Sequence, residues 1–154
     1  MNGNMRNQST TTGNLQKAAA AIGVVFLLVG ILGFVPGITT PYGDLEVAGP
    51  GSGAQLLGIF EVSVLHNIVH LLFGVAGLVM ARTWESARLY LVGGGAIYLL
   101  LFVYGLVINE ESKANFVPFN SADNWLHLAL GLGMVALGVA LARRREVHAP
   151  GRTM

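Results

Sequence analysis

The sequence predicts an all-α protein, a four-helix transmembrane bundle with both termini cytoplasmic. Three observations predict it. Of 154 residues, 53% are hydrophobic and only 11% charged, with a mean hydropathy of +0.62. Four apolar stretches free of internal charge divide the chain, and nearly all its basic residues fall on one side of the membrane those stretches would define. A soluble domain carries about a quarter charged residues to keep its surface wet. Most of this surface therefore faces something apolar.

The formal net charge of +1 shows no global basicity, which argues against nucleic acid as a partner. The absence of cysteine excludes disulfides, thiolate metal sites and cysteine nucleophiles, and leaves the redox compartment undecided. The 21 glycines suit helices that pack closely in lipid.

Residues 1–16 are polar, without apolar periodicity, and read as a disordered cytoplasmic tail. Residues 17–143 form the expected membrane domain, with spans at about 18–35, 62–81, 89–108 and 125–142. The first span has a rival reading as a secretory signal. Such a signal has an apolar region of roughly 7–15 residues followed by a small-x-small cleavage site. Pro36, Gly37, Ile38, Thr39 and Thr40 supply no such site, so a true span is preferred. The connection from Gly37 to Phe60 is long and rich in turn residues, and Gln55 to Phe60 is apolar enough to lie on the interface or tuck beneath it. The second span starts at Val62 or Val64 and stops before Arg82; a tight turn through Thr83 to Arg88 leads into the third. Asn109 to Ala122 is a polar loop. The fourth span is stopped by Arg143, Arg144 and Arg145, leaving 144–154 as a second cytoplasmic tail.

Orientation follows from charge. Arg6, Lys17, Arg82, Arg88, Arg143, Arg144, Arg145 and Arg152 share one side; Lys113 alone lies on the other, with Asp44, Glu46, Glu61, Glu110, Glu111 and Asp123. Basic residues in short loops are retained in the cytoplasm. Trp84 and Trp125 sit at opposite membrane edges, where indole rings prefer to be.

An internal repeat stands out. His66-Asn67-Ile68-Val69-His70-Leu71-Leu72-Phe73-Gly74 and Asp123-Asn124-Trp125-Leu126-His127-Leu128-Ala129-Leu130-Gly131 share Asn-x-x-His-Leu-x-x-Gly. Each copy opens a span entering from outside, so two helical hairpins in parallel repeat are expected.

Positions i and i+4 share a helix face about 6 Å apart along the axis. His66 and His70 thus point one way, as do Asp123 and His127, and all four are expected to converge in an outward-facing cluster with Asn67 and Asn124 nearby and Glu61 as a further candidate. Three imidazoles and a carboxylate suit zinc, copper or non-haem iron; His70 and His127 from equivalent positions suit a haem held from two sides. The plainer reading is structural. Asn and His at small-residue interfaces hydrogen-bond across helices, and a carboxylate in a first turn, as Asp123 is, meets free N–H groups and the positive end of the dipole. Asn120 or Ser121 and Ser63 are the expected caps. On this reading the cluster's polar groups satisfy one another, and no cofactor is needed.

Gly74 and Gly77, Ala129 and Gly133, and Gly138 and Ala142 offer small faces for helix contact. Gly93-Gly94-Gly95 does likewise, and lacks the Lys and Ser/Thr of a phosphate loop. Tyr98 and Tyr104 are read as buried hydrogen-bonding groups. No Asp, Glu, Lys or Arg falls near the middle of any span, which disfavours an ion-coupled carrier. No Ser-His-Asp or Ser-Lys set supports hydrolysis.

Gly33-Phe34-Val35-Pro36-Gly37, Leu56-Leu57-Gly58-Ile59-Phe60, Leu65-His66-Asn67-Ile68-Val69-His70-Leu71, Ala81-Arg82 and Asn120-Ser121-Ala122-Asp123-Asn124-Trp125-Leu126-His127 resemble a family of bacterial, commonly actinobacterial, four-helix membrane proteins, domain of unknown function 4383. The resemblance covers Lys17 to Arg143. It implies a plasma-membrane location and the same four spans, and transfers no catalytic residue. Glu61 stands where many relatives have a small or polar residue. The expected role is a non-enzymatic structural or accessory component in the lipid bilayer, forming a homo-oligomer or binding other membrane proteins. The alternative is a metal- or haem-binding protein centred on His66, His70, Asp123 and His127. An oligomeric channel is a third class to which no residue points.

Overall fold

The computed structural model describes residues 13–118 and 120–147, with side chains as far as Arg143. It contains four helices, α1 (Asn14–Leu32), α2 (Val64–Met80), α3 (Trp84–Val107) and α4 (Ser121–Val147), and a minor sheet in the first long loop. By length and composition α1, α3 and α4 are able to cross a membrane. At 17 residues α2 is shorter. With a rise of about 1.5 Å per residue it covers roughly 26 Å, against a hydrocarbon core of about 30 Å.

The helix ends explain the differences from the expected spans. α1 starts at Asn14, so residues 14–16 are helical where the sequence reading placed a tail; the preceding residues lie outside the described ones. Gln16 accepts from the Gly13 N–H (3.2 Å) and donates to the carbonyls of Ala81 and Arg82 (3.1 and 2.9 Å). One side chain thus caps the start of α1 and satisfies carbonyls exposed at the end of α2. Ser63 caps α2 by accepting from the His66 N–H, as expected, which fixes the start at Val64 rather than Val62. Thr83 accepts from the Ser86 N–H (3.2 Å), so α3 begins at Trp84, ahead of the expected 89. α4 runs to Val147, so the helix continues through Arg143, Arg144 and Arg145 beyond an apolar stretch that ends at Arg143.

α1 packs mainly on α2 and α3 mainly on α4, giving two hairpins. They repeat in three dimensions. Gly23 of α1 lies against Gly74 and Gly77, where an added Cβ would fall 2.9 Å from the Gly74 oxygen; Gly95 of α3 lies in the same way 2.9 Å from the Gly131 oxygen. A Cβ on Gly74 would strike Leu27, and one on Gly131 would strike Leu99. Phe26 packs on His70 at 5.6 Å, and Tyr98, at the equivalent place, on His127 at 5.4 Å. The two hairpins meet where Phe26 and Tyr98 stack, 5.3 Å apart and 23° from parallel. The same aromatic position from each copy therefore makes the central contact.

Loops join the hairpins' other ends. β1 (Thr39–Thr40), β2 (Gln55–Leu56) and β3 (Phe60–Glu61) form an antiparallel sheet in that order. Ala54, Leu56 and Val62 make a small core with Val29, Leu32 and Ile38 beneath it. Leu56 is thus tucked in, whereas Leu57 and Ile59 stay exposed. The second loop is bonded to the first: the Gly49 N–H donates to the Phe116 carbonyl (2.8 Å) and Asn120 Nδ2 to the Ile59 carbonyl (2.8 Å). Both loops form one cap at a single end of the bundle. The α2–α3 turn, with Lys17, Arg82, Arg88 and Arg143 near it in the helix order, is at the other.

Candidate functional site

The first turn of α2 lies under the cap. His66 reaches the second loop, its Nδ1–H donating to the Pro118 carbonyl (3.3 Å). His70, one turn on, donates from Nδ1 to the His66 carbonyl (3.0 Å). The two imidazoles stack, 4.4 Å apart and 24° from parallel, as the i, i+4 spacing requires. With Nδ1–H given to a carbonyl, the neutral ring keeps its lone pair on Nε2.

His66, His70 and His127 share the wall of one cavity of about 130 Å³. Val69 completes the α2 side, Tyr98, Leu101 and Tyr104 of α3 form another, and Ala114, Phe116 and Val117 of the second loop roof it. Tyr104 holds that roof down, its hydroxyl donating to the Ala114 carbonyl (2.7 Å). Asn115 keeps the loop folded by donating from Nδ2 to the Glu110 carbonyl (3.0 Å). The three histidines thus line one space.

Asp123 does not join them. Its Oδ2 accepts from the Asn120 N–H (3.0 Å) and from the Glu61 N–H of β3 (2.9 Å). Asn120 in turn accepts on Oδ1 from the N–H groups of Ala122 and Asp123 (2.9 and 3.1 Å). This is a reciprocal cap with an additional bond to the sheet, and it claims the carboxylate before any metal cluster can form. Among the described residues no three His, Cys, Asp or Glu side chains are placed to hold a metal ion. Nor does the geometry suit a haem. The cavity is of the size that accommodates one benzene ring, and Phe26 and Tyr98 fill the axis between the hairpins.

Asn67 and Asn124 point elsewhere too. One residue on from His66, the chain has turned about 100°, and Asn67 packs on α1, where a Cβ at Gly33 would overlap its side-chain amide. Asn67 is fully buried, yet among the described residues neither its Oδ1 nor its Nδ2 has a hydrogen-bond partner, and the Asn124 Oδ1 has none there either. The expectation that the polar groups satisfy one another therefore fails at these amides. Glu61 belongs to the cap, where burial first, and the charge of Glu110 second, raise its carboxyl above the usual range. Tyr90, which the sequence reading did not single out, bonds α3 to α2 through the Phe73 carbonyl (3.2 Å). Its place two turns before Tyr98 on the same face was the available signal. Nothing in the sequence of 114–118 beyond Pro118 marks it as a roof.

No curated protein and no solved structure matches this chain. The family described as Domain of unknown function (DUF4383) matches residues 16–140, close to the Lys17–Arg143 extent expected from the shared motifs. Four helices carrying those motifs over most of the chain make the assignment plain: this membrane protein belongs to that family.

Proposed function

We propose that the protein is a multi-pass component of the bacterial plasma membrane, both termini cytoplasmic and the two-loop cap outside, serving as a non-enzymatic accessory or scaffold subunit. The observation carrying this reading is the use made of the polar groups at the capped end. Asp123, Asn120, His66, His70, Tyr104 and Asn115 all spend bonds on backbone groups, which fixes loops and helix ends rather than arming a reaction. The outer faces are apolar, with Leu72, Leu89, Leu100 and Leu106 exposed, as lipid contact demands. Gly133 also faces outward with open space around it, a surface on which a second helix can approach closely.

The basic residues support the orientation, since Lys17, Arg82, Arg88 and Arg143 belong to the end opposite the cap. The chain has no cysteine, so single cysteines can be introduced cleanly. Lys113→Cys should react with a membrane-impermeant maleimide in intact cells, and Arg82→Cys only after lysis. Crosslinking in native membranes should recover a homo-oligomer or a complex with another membrane protein. Recovery of monomer alone would overturn the accessory role, and the reverse labelling pattern would overturn the orientation.

A further inference from the structure

We propose that the histidine-lined cavity is a binding site for a one-ring phenolic group, reached sideways between α2 and α3. Size is the first argument. The cavity of about 130 Å³ is close to the roughly 150 Å³ of an apolar protein cavity that takes up benzene. Lining is the second. Tyr98, Phe116 and the stacked histidines present π surfaces, which favour a ring over an aliphatic chain of equal volume.

The third argument is an acceptor to which no described residue donates. His70 is more than nine-tenths buried and lines the cavity. Its Nδ1–H is committed to the His66 carbonyl, so its Nε2 lone pair is the group left for a ligand. A lone-pair acceptor in an apolar, ring-sized space selects a ring carrying an O–H donor. A phenol meets that description; toluene matches the shape without the donor, and a quinone offers only acceptors.

The mouth suggests where the ligand comes from. Val69 and Phe116 of the lining are exposed, and so are Leu72, three residues on from Val69, and Leu100, next to the lining Leu101, all apolar. α2 and α3 also touch less than the partners within each hairpin, which leaves the gap there. The same phenolic chemistry arises from a small water-borne phenol or from the head of a membrane-dissolved amphiphile.

The experiment uses the full chain in lipid nanodiscs, with phenol, toluene and 4-octylphenol as probes and ¹⁵N-labelled histidine as the reporter. Phenol should bind saturably, roughly ten-fold more tightly than toluene, the worth of one good hydrogen bond. It should shift the Nε2 resonance of His70 in the direction of hydrogen-bond acceptance. His70→Phe, which keeps an aromatic ring, should bring phenol and toluene to equal affinity. Should that variant fail to fold, the His70 shift in the unaltered protein decides alone. If 4-octylphenol produces the same shift and displaces phenol, the site takes membrane amphiphiles; if phenol alone acts, it takes water-borne phenols. Non-saturable phenol uptake, equal affinity for toluene in the unaltered protein, or an unmoved His70 resonance would each overturn the proposal, whatever the oligomeric state proves to be.

Discussion

Asn67 and Glu61 are two residues placed at a cost to the fold, and each gives a direct measurement. Both amide atoms of Asn67 are buried without a partner among the described residues, and a lost hydrogen bond of this kind costs about 1–3 kcal/mol. Leu has the same branching and no polar atom. Asn67→Leu is therefore expected to raise stability by about 1–2 kcal/mol in reversible unfolding from detergent; a loss of that size would mean that the amide is satisfied by bound water. Glu61 titrates instead. Burial and the nearby Glu110 charge raise its pKa in the folded protein, so the folded state binds its proton more tightly than the unfolded chain does. Its contribution to stability is present below the unfolded value of about 4.3 and is lost as pH rises through the higher folded value. Amide protection in residues 55–61, taken relative to the intrinsic exchange rate at each pH, should therefore fall as pH rises above about 4, and Glu61→Gln should flatten that fall. An unchanged profile in the variant would assign the effect elsewhere.

Among the elements, the start of α4 shows how a local signal acquires a tertiary role. The spacing of Asn120 and Asp123 marks a helix start, and both do cap α4. The same Asp123 oxygen also takes the Glu61 N–H of β3, a bond across the two loops that no local pattern encodes. Asp123→Ala removes the acceptor for two backbone donors and should cost about 2–3 kcal/mol. Asp123→Asn keeps an oxygen in place and should lose about half as much. Faster amide exchange at both Glu61 and Asn120 is the expected signature; exchange raised at Asn120 alone would mean that the bond to the sheet contributes nothing. The helix boundaries teach a related lesson. Apolar runs located all four helices, but Ser63, Thr83 and Gln16 set where they start, because capping bonds, not hydropathy, satisfy free N–H groups.

For the molecule as a whole, the repeat governs the architecture. Equivalent glycines let each hairpin close, and equivalent aromatic positions, Phe26 and Tyr98, join the hairpins. Within α4 this separates two glycines only two residues apart. A methyl at Gly131 would fall 2.7 Å from Leu99 and 3.0 Å from the Gly95 oxygen, whereas one at Gly133 meets nothing. Gly131→Ala should destabilise the monomer by about 1–3 kcal/mol, while Gly133→Ala should be neutral or stabilise by up to about 1 kcal/mol. If outward small faces mediate association, Gly133→Leu should weaken crosslinking without lowering the unfolding midpoint. Equal damage from both alanine variants would show that the hairpin contact is misassigned.

The sequence by itself determined the helix count, the family and the repeat, because lipid-facing apolar runs and the recurring Asn-x-x-His-Leu-x-x-Gly pattern are written in local order. Helix periodicity also led it to expect His66, His70, Asp123 and His127 on converging faces. Only the tertiary structure decided that Asp123 turns to the sheet, that Asn67 faces α1, and that residues 114–118 roof a ring-sized cavity beside His70. Those outcomes depend on which backbone donors and carbonyls a distant loop brings within about 3 Å, a matter of packing that spacing along one helix cannot express.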